Sequence, residues 1–409
     1  MPISVAPIST AELPAFIDTM SATFLDRPDI ARVAAEVEPF WDLSRAWAAR
    51  DHSRIIGTFR SWPTEITVPG GQRLPAAAVT NVTVLPTHRR RGVLRAMVAA
   101  DHGASRARGE ALSLLYAAEY PIYGRFGYGP ACRLATVLLD THGTTFHTAA
   151  AGSVEFIAPG EEASQAMRAV YEAWRAAHAG EIRRREFRWE IDLGLREVAW
   201  GTRWKGFFAV HRDGSGTIDG YVRYRADEKW EQGQPRSIVN LDELQALTGE
   251  AHHALWRFLA EIDLVSTVKA ENRPAGERLP WLLTNARAAV VSELSDGMWV
   301  RVFDPGRALG ARGYDLEGRL VLEVIDPEAP NGRVRLALDA GGGGATAVET
   351  TRNADLTLDV AALSAAYLGG TRLRDAVLAT GVDEHTAGAL ATADALLHTA
   401  DQPWGSTFF

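Results

Sequence analysis

The chain carries one cysteine, Cys132, in 409 residues. One thiol cannot build an intrachain disulfide, a cysteine-rich zinc site or a thiol relay. Lysine is nearly as scarce. Of 43 basic residues only Lys205, Lys229 and Lys269 are lysines. This arginine- and alanine-rich usage suggests a GC-rich genome and says nothing about mechanism. No apolar run approaches the ~18 residues of a membrane span. The first basic residue is Arg27, so the opening segment lacks the charged region of a signal peptide. Excess positive charge is missing too: 43 basic against 51 acidic residues leave a net charge of −8, which counts against a nucleic-acid binder. These absences predict a cytoplasmic protein with neither a nucleic acid nor a membrane as partner.

What is present is ordinary for a soluble globular protein: 46% apolar and 23% charged residues. The length suits two or three domains. Up to about residue 150 the chain reads as mixed α/β. A short amphipathic helix is predicted over 9–23, with Thr10 as N-cap and Glu12 in its first turn. Strands are predicted over 54–61 and 65–68, broken at Pro63, then over 76–85 and 112–117. The region 151–290 repeats this grammar: a helix opening at Gly160, a hairpin over 207–224, a strand over 237–247 and a helix over 250–262. The echo suggests a duplicated domain. Over 291–409 strands (299–303, 319–325, 332–338), with Gly341 to Gly344 as a hairpin tip, precede alanine- and leucine-rich helices (359–369, 371–379, 387–398). That order suggests an α+β domain.

The sharpest local signal is Val82-Thr83-Val84-Leu85-Pro86-Thr87-His88-Arg89-Arg90-Arg91-Gly92-Val93-Leu94. A buried strand ends, a turn follows, and a helix begins at Gly92. Free backbone N–H groups and the positive helix end then point at one spot, which suits an anion. Arg89 and Arg90 add charge fitted to a diphosphate or a 3′-phosphate. A solvated basic turn is the equally open alternative. A second signal is Glu119-Tyr120-Pro121-Ile122-Tyr123-Gly124-Arg125-Phe126-Gly127-Tyr128-Gly129-Pro130. Phe126 and Tyr128 read as core aromatics. Tyr123 follows the strand after the basic loop, where a phenol can donate a proton. Asp26, Asp29, Glu36, Glu38 and Asp42, with Phe24, Phe40 and Trp41 among them, read either as a solvated acidic face or as one wall of a pocket for a cationic amine. The end, Trp404-Gly405-Ser406-Thr407-Phe408-Phe409, is aromatic where a frayed tail is usually polar. It either docks the last domain or plugs a site. His252 and His253 have no further ligand nearby at metal spacing, and they read as core or surface histidines.

The segment Arg89-Arg90-Arg91-Gly92-Val93-Leu94 resembles the pyrophosphate loop of the GNAT acyltransferases, with Leu94 in place of the usual small last residue. Together with Thr87-His88, Ile122-Tyr123-Gly124-Arg125-Phe126-Gly127-Tyr128-Gly129-Pro130, Ala251-His252-His253-Ala254-Leu255-Trp256 and Ala311-Arg312-Gly313-Tyr314, it resembles the Eis (enhanced intracellular survival) N-acetyltransferase family over essentially the whole chain. The resemblance implies an α/β and α+β multidomain fold. Two fused GNAT domains (1–150 and 151–290) would precede a sterol-carrier-protein-like domain (291–409), assembled as a homohexamer. It implies acetyl-CoA as cosubstrate, no metal, and a primary amine as acceptor, including the aminoglycosides of antibiotic resistance. A protein lysine is the alternative acceptor, and a lipid-binding or regulatory protein with vestigial GNAT folds is the alternative function.

By the same resemblance Val82, Thr83 and Val84 face the pantetheine arm. Arg89 to Leu94 hold the phosphates, and Tyr123 is the general acid. The α-carboxylate of Phe409 is the base, with Glu119 as its substitute. Phe24, Asp26, Trp41, Asn81 and Glu119 surround the acceptor. Asn81 stands where some relatives have an aromatic, and Phe408 where an acidic residue can occur; both weaken the case for an aminoglycoside. In the second unit Leu247-Thr248-Gly249-Glu250-Ala251-His252 lacks the arginines, and Glu250 repels phosphate, so that unit is expected to hold no CoA.

Overall fold

The computed structural model describes residues 3–341 and 344–409. Of the expected glycine hairpin tip, Gly342 and Gly343 lie outside the described residues; Gly341 and Gly344 pair across it. Helix α1 (Leu13–Thr23) is preceded by a single 3-10 turn. Its cap is Ser9 and not Thr10: the Glu12 carboxylate accepts the Ser9 amide and hydroxyl at 2.9 and 3.0 Å, closing a capping box. Helix α2 is Ile30–Val37. Strand β1 (Arg54–Thr67) then runs unbroken through Pro63, against the sequence expectation. Glu65 and Thr67 bond outward to Arg183 and Glu181. Strand alternation turns the nitrogen of Pro63 to that same side, in the gap after the strand Ala46–Asp51 ends its pairing at Arg60. No ladder bond is lost there.

Strand β2 (Arg73–Val84), helix α3 (Val93–Ala107) and strand β3 (Leu112–Tyr116) follow. Strands β2 and β3 are parallel, and their pairing stops at Ala78 opposite Leu114. Beyond that point they splay. A bulge against β1 marks the parting. Asn81 sits there with φ 55°, a left-handed conformation that asparagine tolerates better than most residues.

The second unit repeats the pattern. Helix α4 (Glu186–Asp192) precedes a hairpin of Phe207–Arg212 and Ile218–Asp227. Strand β4 (Ser237–Ala246), helix α5 (Gly249–Ala260) and strand β5 (Val265–Pro274) then reproduce β2, α3 and β3, with β4 and β5 parallel.

Each seven-stranded sheet borrows a strand across the domain boundary. Arg133–Asp140 inserts beside β5 in the second sheet. Strand β6 (Met298–Val302), read from the sequence as opening the last domain, pairs with β3 in the first sheet. All five of its residues are buried; a strand covered on both faces belongs inside a sheet. The third region has its own five-stranded sheet and core, covered by the helices Val360–Ala366, Leu373–Thr380 and Ala389–Leu397. Tyr367 and Leu368 of that region share a core with β1, β2, β3 and β6, and Phe409 packs against it. Among the described residues no helix is long and apolar enough to cross a membrane.

Candidate active site

The splay of β2 from β3 opens a cavity of about 810 Å³. Val82, Thr83 and Val84 line one side, and Glu119, Ile122 and Tyr123 the other. At its mouth α3 begins at Gly92, which has φ 77° and no side chain to cap the helix. A Cβ placed there would meet nothing within 4 Å. The first-turn N–H groups therefore face open space, with the positive helix end behind them. Arg90, itself at φ 62°, shapes the turn. Arg89, Arg90 and Arg95 line the cavity with Gly92, Val93 and Leu94. The Arg91 side chain turns the other way and pairs with Asp51 at 3.2 Å. Of the three consecutive arginines, two serve the cavity.

Tyr123 is 8% exposed. Burial, and then the Glu119 charge, push its phenol up to about 12, so it stays protonated at neutral pH. Tyr128 is the core residue expected: its hydroxyl lies 2.7 Å from Ser113 and 3.1 Å from His102. Phe126 packs against the same core, as expected, and also lines the cavity.

A second cavity of about 360 Å³ adjoins the first, with Phe24 in both walls. It gathers Phe24, Asp26, Trp41 and Asn81, as expected, but Glu119 stays with Tyr123 in the first. The remaining acidic residues do not reach it. Asp29 caps α2, and Asp42 accepts the Ser44 amide. Glu36 accepts the Ala199 amide at 2.8 Å, and Glu38 is exposed. Asp29 and Asp42 thus serve local backbone amides and Glu38 faces solvent, while Glu36 ties α2 to the second unit.

Sequence reasoning missed the other half of this cavity. Arg60 and Trp62 come from β1, and Arg184, Arg185, Phe187 and Arg188 come from the segment that opens α4. The run Arg183-Arg184-Arg185-Glu186-Phe187-Arg188 was the available signal.

The tail closes the cavity. Trp404 donates its indole N–H to the Asn272 carbonyl and meets Trp174 edge-on. Ser406 binds Glu181 through its amide and hydroxyl at 2.6 and 2.7 Å. Thr407 joins the Tyr171 hydroxyl and the Arg184 guanidinium, while Tyr116 donates to its carbonyl. Arg188 donates to the Phe408 carbonyl at 2.9 Å. The Phe409 ring stands edge-on to Trp62 and Tyr116, with centroids at 5.5 and 5.2 Å. The terminus thus lies at the end of β3, where the strands part. Tyr123 and Phe409 occupy neighbouring cavities that share the wall of Phe24.

The two histidines sit elsewhere. His252 pairs with Glu277 at 2.8 Å, and His253 packs against Phe146. Burial pushes the Cys132 thiol up to about 12, which leaves it inert at neutral pH.

Comparison with known proteins agrees with this layout. Residues 4–131 and 180–302 each match an acetyltransferase (GNAT) domain family, and residues 305–406 match a sterol carrier protein domain. The chain is 38% identical over 415 residues to an uncharacterized N-acetyltransferase of Streptomyces avermitilis, covering 100% of this chain and 99% of the relative. It is 36% identical to N-acetyltransferase Eis of Mycobacterium tuberculosis, with 78% of this chain and 77% of the relative aligned. The crystal structure of Eis1 from Mycobacterium abscessus superposes with a TM-score of 0.86 at 32% identity, over 99% of this chain and 100% of that one. A GCN5-related N-acetyltransferase from Anabaena variabilis shares the fold at 19% identity, with a TM-score of 0.84 and both chains fully covered.

Proposed function

The chain belongs to the Eis-type GNAT N-acetyltransferases, and from that premise we propose that it moves the acetyl group of acetyl-CoA onto a primary amine by direct transfer. The observation that carries this reading is the bare N-terminus of α3, flanked by Arg89 and Arg90, at the mouth of a cavity that ends at Tyr123. Amides and guanidiniums there suit a pyrophosphate. The β2 edge at Val82 to Val84, beyond the end of its pairing with β3, suits the amide-bearing pantetheine arm.

In the step itself, the amine nitrogen bonds to the thioester carbonyl carbon and the C–S bond breaks. The Tyr123 hydroxyl gives its proton to the departing sulfur. The proton released by the amine goes to the terminal carboxylate of Phe409, directly or through water. A free carboxylate is a weak base (reference pKa ~3.3–3.7), and desolvation raises it. The docked tail supports this role, because Ser406 and Thr407 hold the terminus by their own hydrogen bonds. We further carry over a hexameric assembly, which analytical ultracentrifugation tests.

Thiol release from acetyl-CoA, followed against a panel of primary amines with mass spectrometry of the products, tests the activity. Amine-dependent release with an acetylated product is expected. Release no faster than buffer hydrolysis for every amine overturns the proposal.

A further inference from the structure

Two guanidiniums in the second cavity have no acidic partner among the described residues. Arg184 is matched by Glu243 at 2.5 Å, and Arg188 by Asp192 at 2.8 Å. Arg60 and Arg185 pair with no acidic side chain among the described residues. Arg60 is 7% exposed, and its Nε donates to the Asn81 side-chain oxygen at 2.9 Å. Its guanidinium lies 4.2 Å from the Trp41 ring centre, and that of Arg185 lies 4.1 Å from Trp62. Burial, and then the Arg185 charge, pull Arg60 down to about 9. Burial alone pulls Arg185 down to about 10.

Holding two unneutralised cations in a half-closed apolar pocket is costly. Stacking on indoles and weak hydration make guanidinium the cation that tolerates it. The one acidic side chain in the wall, Asp26, is exposed at the rim and accepts the Arg27 amide at 2.8 Å. A polycation entering here would meet like charge.

We propose that the acceptor is an amino carboxylate with an apolar or aromatic body, whose carboxylate is held between Arg60 and Arg185 while its amine is directed toward Tyr123. The proposal rests on the acetyl-transfer reading and names its substrate class. Trp41, Trp62 and Phe187 supply the apolar walls, and a planar guanidinium matches a carboxylate with two parallel hydrogen bonds. The rival explanation is that the two arginines serve only the chain's own terminal carboxylate.

Binding is tested without turnover, with 3-phenylpropionate and its uncharged amide as probes, by calorimetry on the full-length protein. The acid is expected to bind at least about tenfold more tightly than the amide, and its binding should weaken with salt. Arg185→Gln should abolish the difference and Arg185→Lys should restore part of it. Arg185 is only partly buried, so these variants test charge in a folded protein. Equal binding of acid and amide overturns the proposal and favours the terminal carboxylate as the arginines' partner. In the thiol-release assay, phenylalanine should exceed phenylalaninamide, spermidine and an aminoglycoside in kcat/KM. A higher value for either polycation overturns the proposal while leaving acetyl transfer intact. Tight binding of the acid with no amine acetylated removes the acetyl-transfer reading and leaves the anion site standing.

Discussion

The two GNAT units share a strand–turn–helix plan and differ at the helix N-terminus. In the first, α3 starts at Gly92 with no capping side chain, and the turn ahead of it carries three arginines. In the second, α5 starts behind Thr248, whose hydroxyl accepts the Ala251 amide at 3.1 Å and donates to Asp219 at 2.8 Å. Glu250 occupies its first turn.

The space between the parallel strands differs in the same sense. Beside β2 the cavity is about 810 Å³, whereas beside β4 a smaller one of about 460 Å³ is lined by Leu244 to Gly249, His252 and Arg273. Beside β4, the Arg273 guanidinium donates to the Leu244 carbonyl and to Glu277, and it stacks on Trp404. The first unit leaves its helix start without a side-chain cap, and the second caps one first-turn amide with Thr248.

The terminal carboxylate should produce the largest effect, because the tail is anchored in the second unit while its end reaches the first. A C-terminal extension beyond Phe409 is expected to abolish acetyl transfer and to leave acetyl-CoA binding intact. Full activity in an extended protein of verified mass would move the base to Glu119. Next, Tyr123→Phe should lower kcat by about 10²–10⁴-fold, the usual worth of a general acid, with little change in acetyl-CoA affinity. The phenol sits near 12 because burial and the Glu119 charge disfavour its anion. Its proton is therefore retained up to about pH 10, and the pH profile of kcat should show no alkaline limb from Tyr123 below that. A limb in that range removed by Tyr123→Phe would mean the phenol is solvated.

A smaller change is expected from Arg89→Ala, about tenfold in acetyl-CoA affinity at low salt and less at high salt, since part of the lost attraction is screened. Calorimetry on the unaltered protein should show one site per chain, and two equivalent sites would erase the distinction between the units. The smallest effect belongs to the capped helix. Thr248→Ala should cost about 1 kcal/mol of stability in chemical denaturation and leave acetyl-CoA affinity unchanged. A loss of affinity there would show that the second unit also takes part in donor binding.

The first cavity was legible because it is local. Val82 to Leu94 is one strand end, one turn and one helix start, and Tyr123 lies in the turn that follows the next strand. The second cavity was legible only in part. Phe24, Asp26, Trp41 and Asn81 could be named, but Asp29, Glu36, Glu38 and Asp42 are spent on caps, a backbone bond and solvent. Arg60 and Arg185 are 125 positions apart and meet only because the second unit packs against β1.

The fold followed the same division. The sequence by itself determined the turns, helix starts and apolar strands, since these depend on neighbouring backbone and side-chain chemistry. Tertiary structure decided the exchange of Arg133–Asp140 and β6 between sheets, the passage of β1 through Pro63 and the charge of the second cavity. Those depend on which surfaces meet in space: a strand joins the sheet that buries both its faces, and an arginine's effect depends on whether packing supplies it a carboxylate.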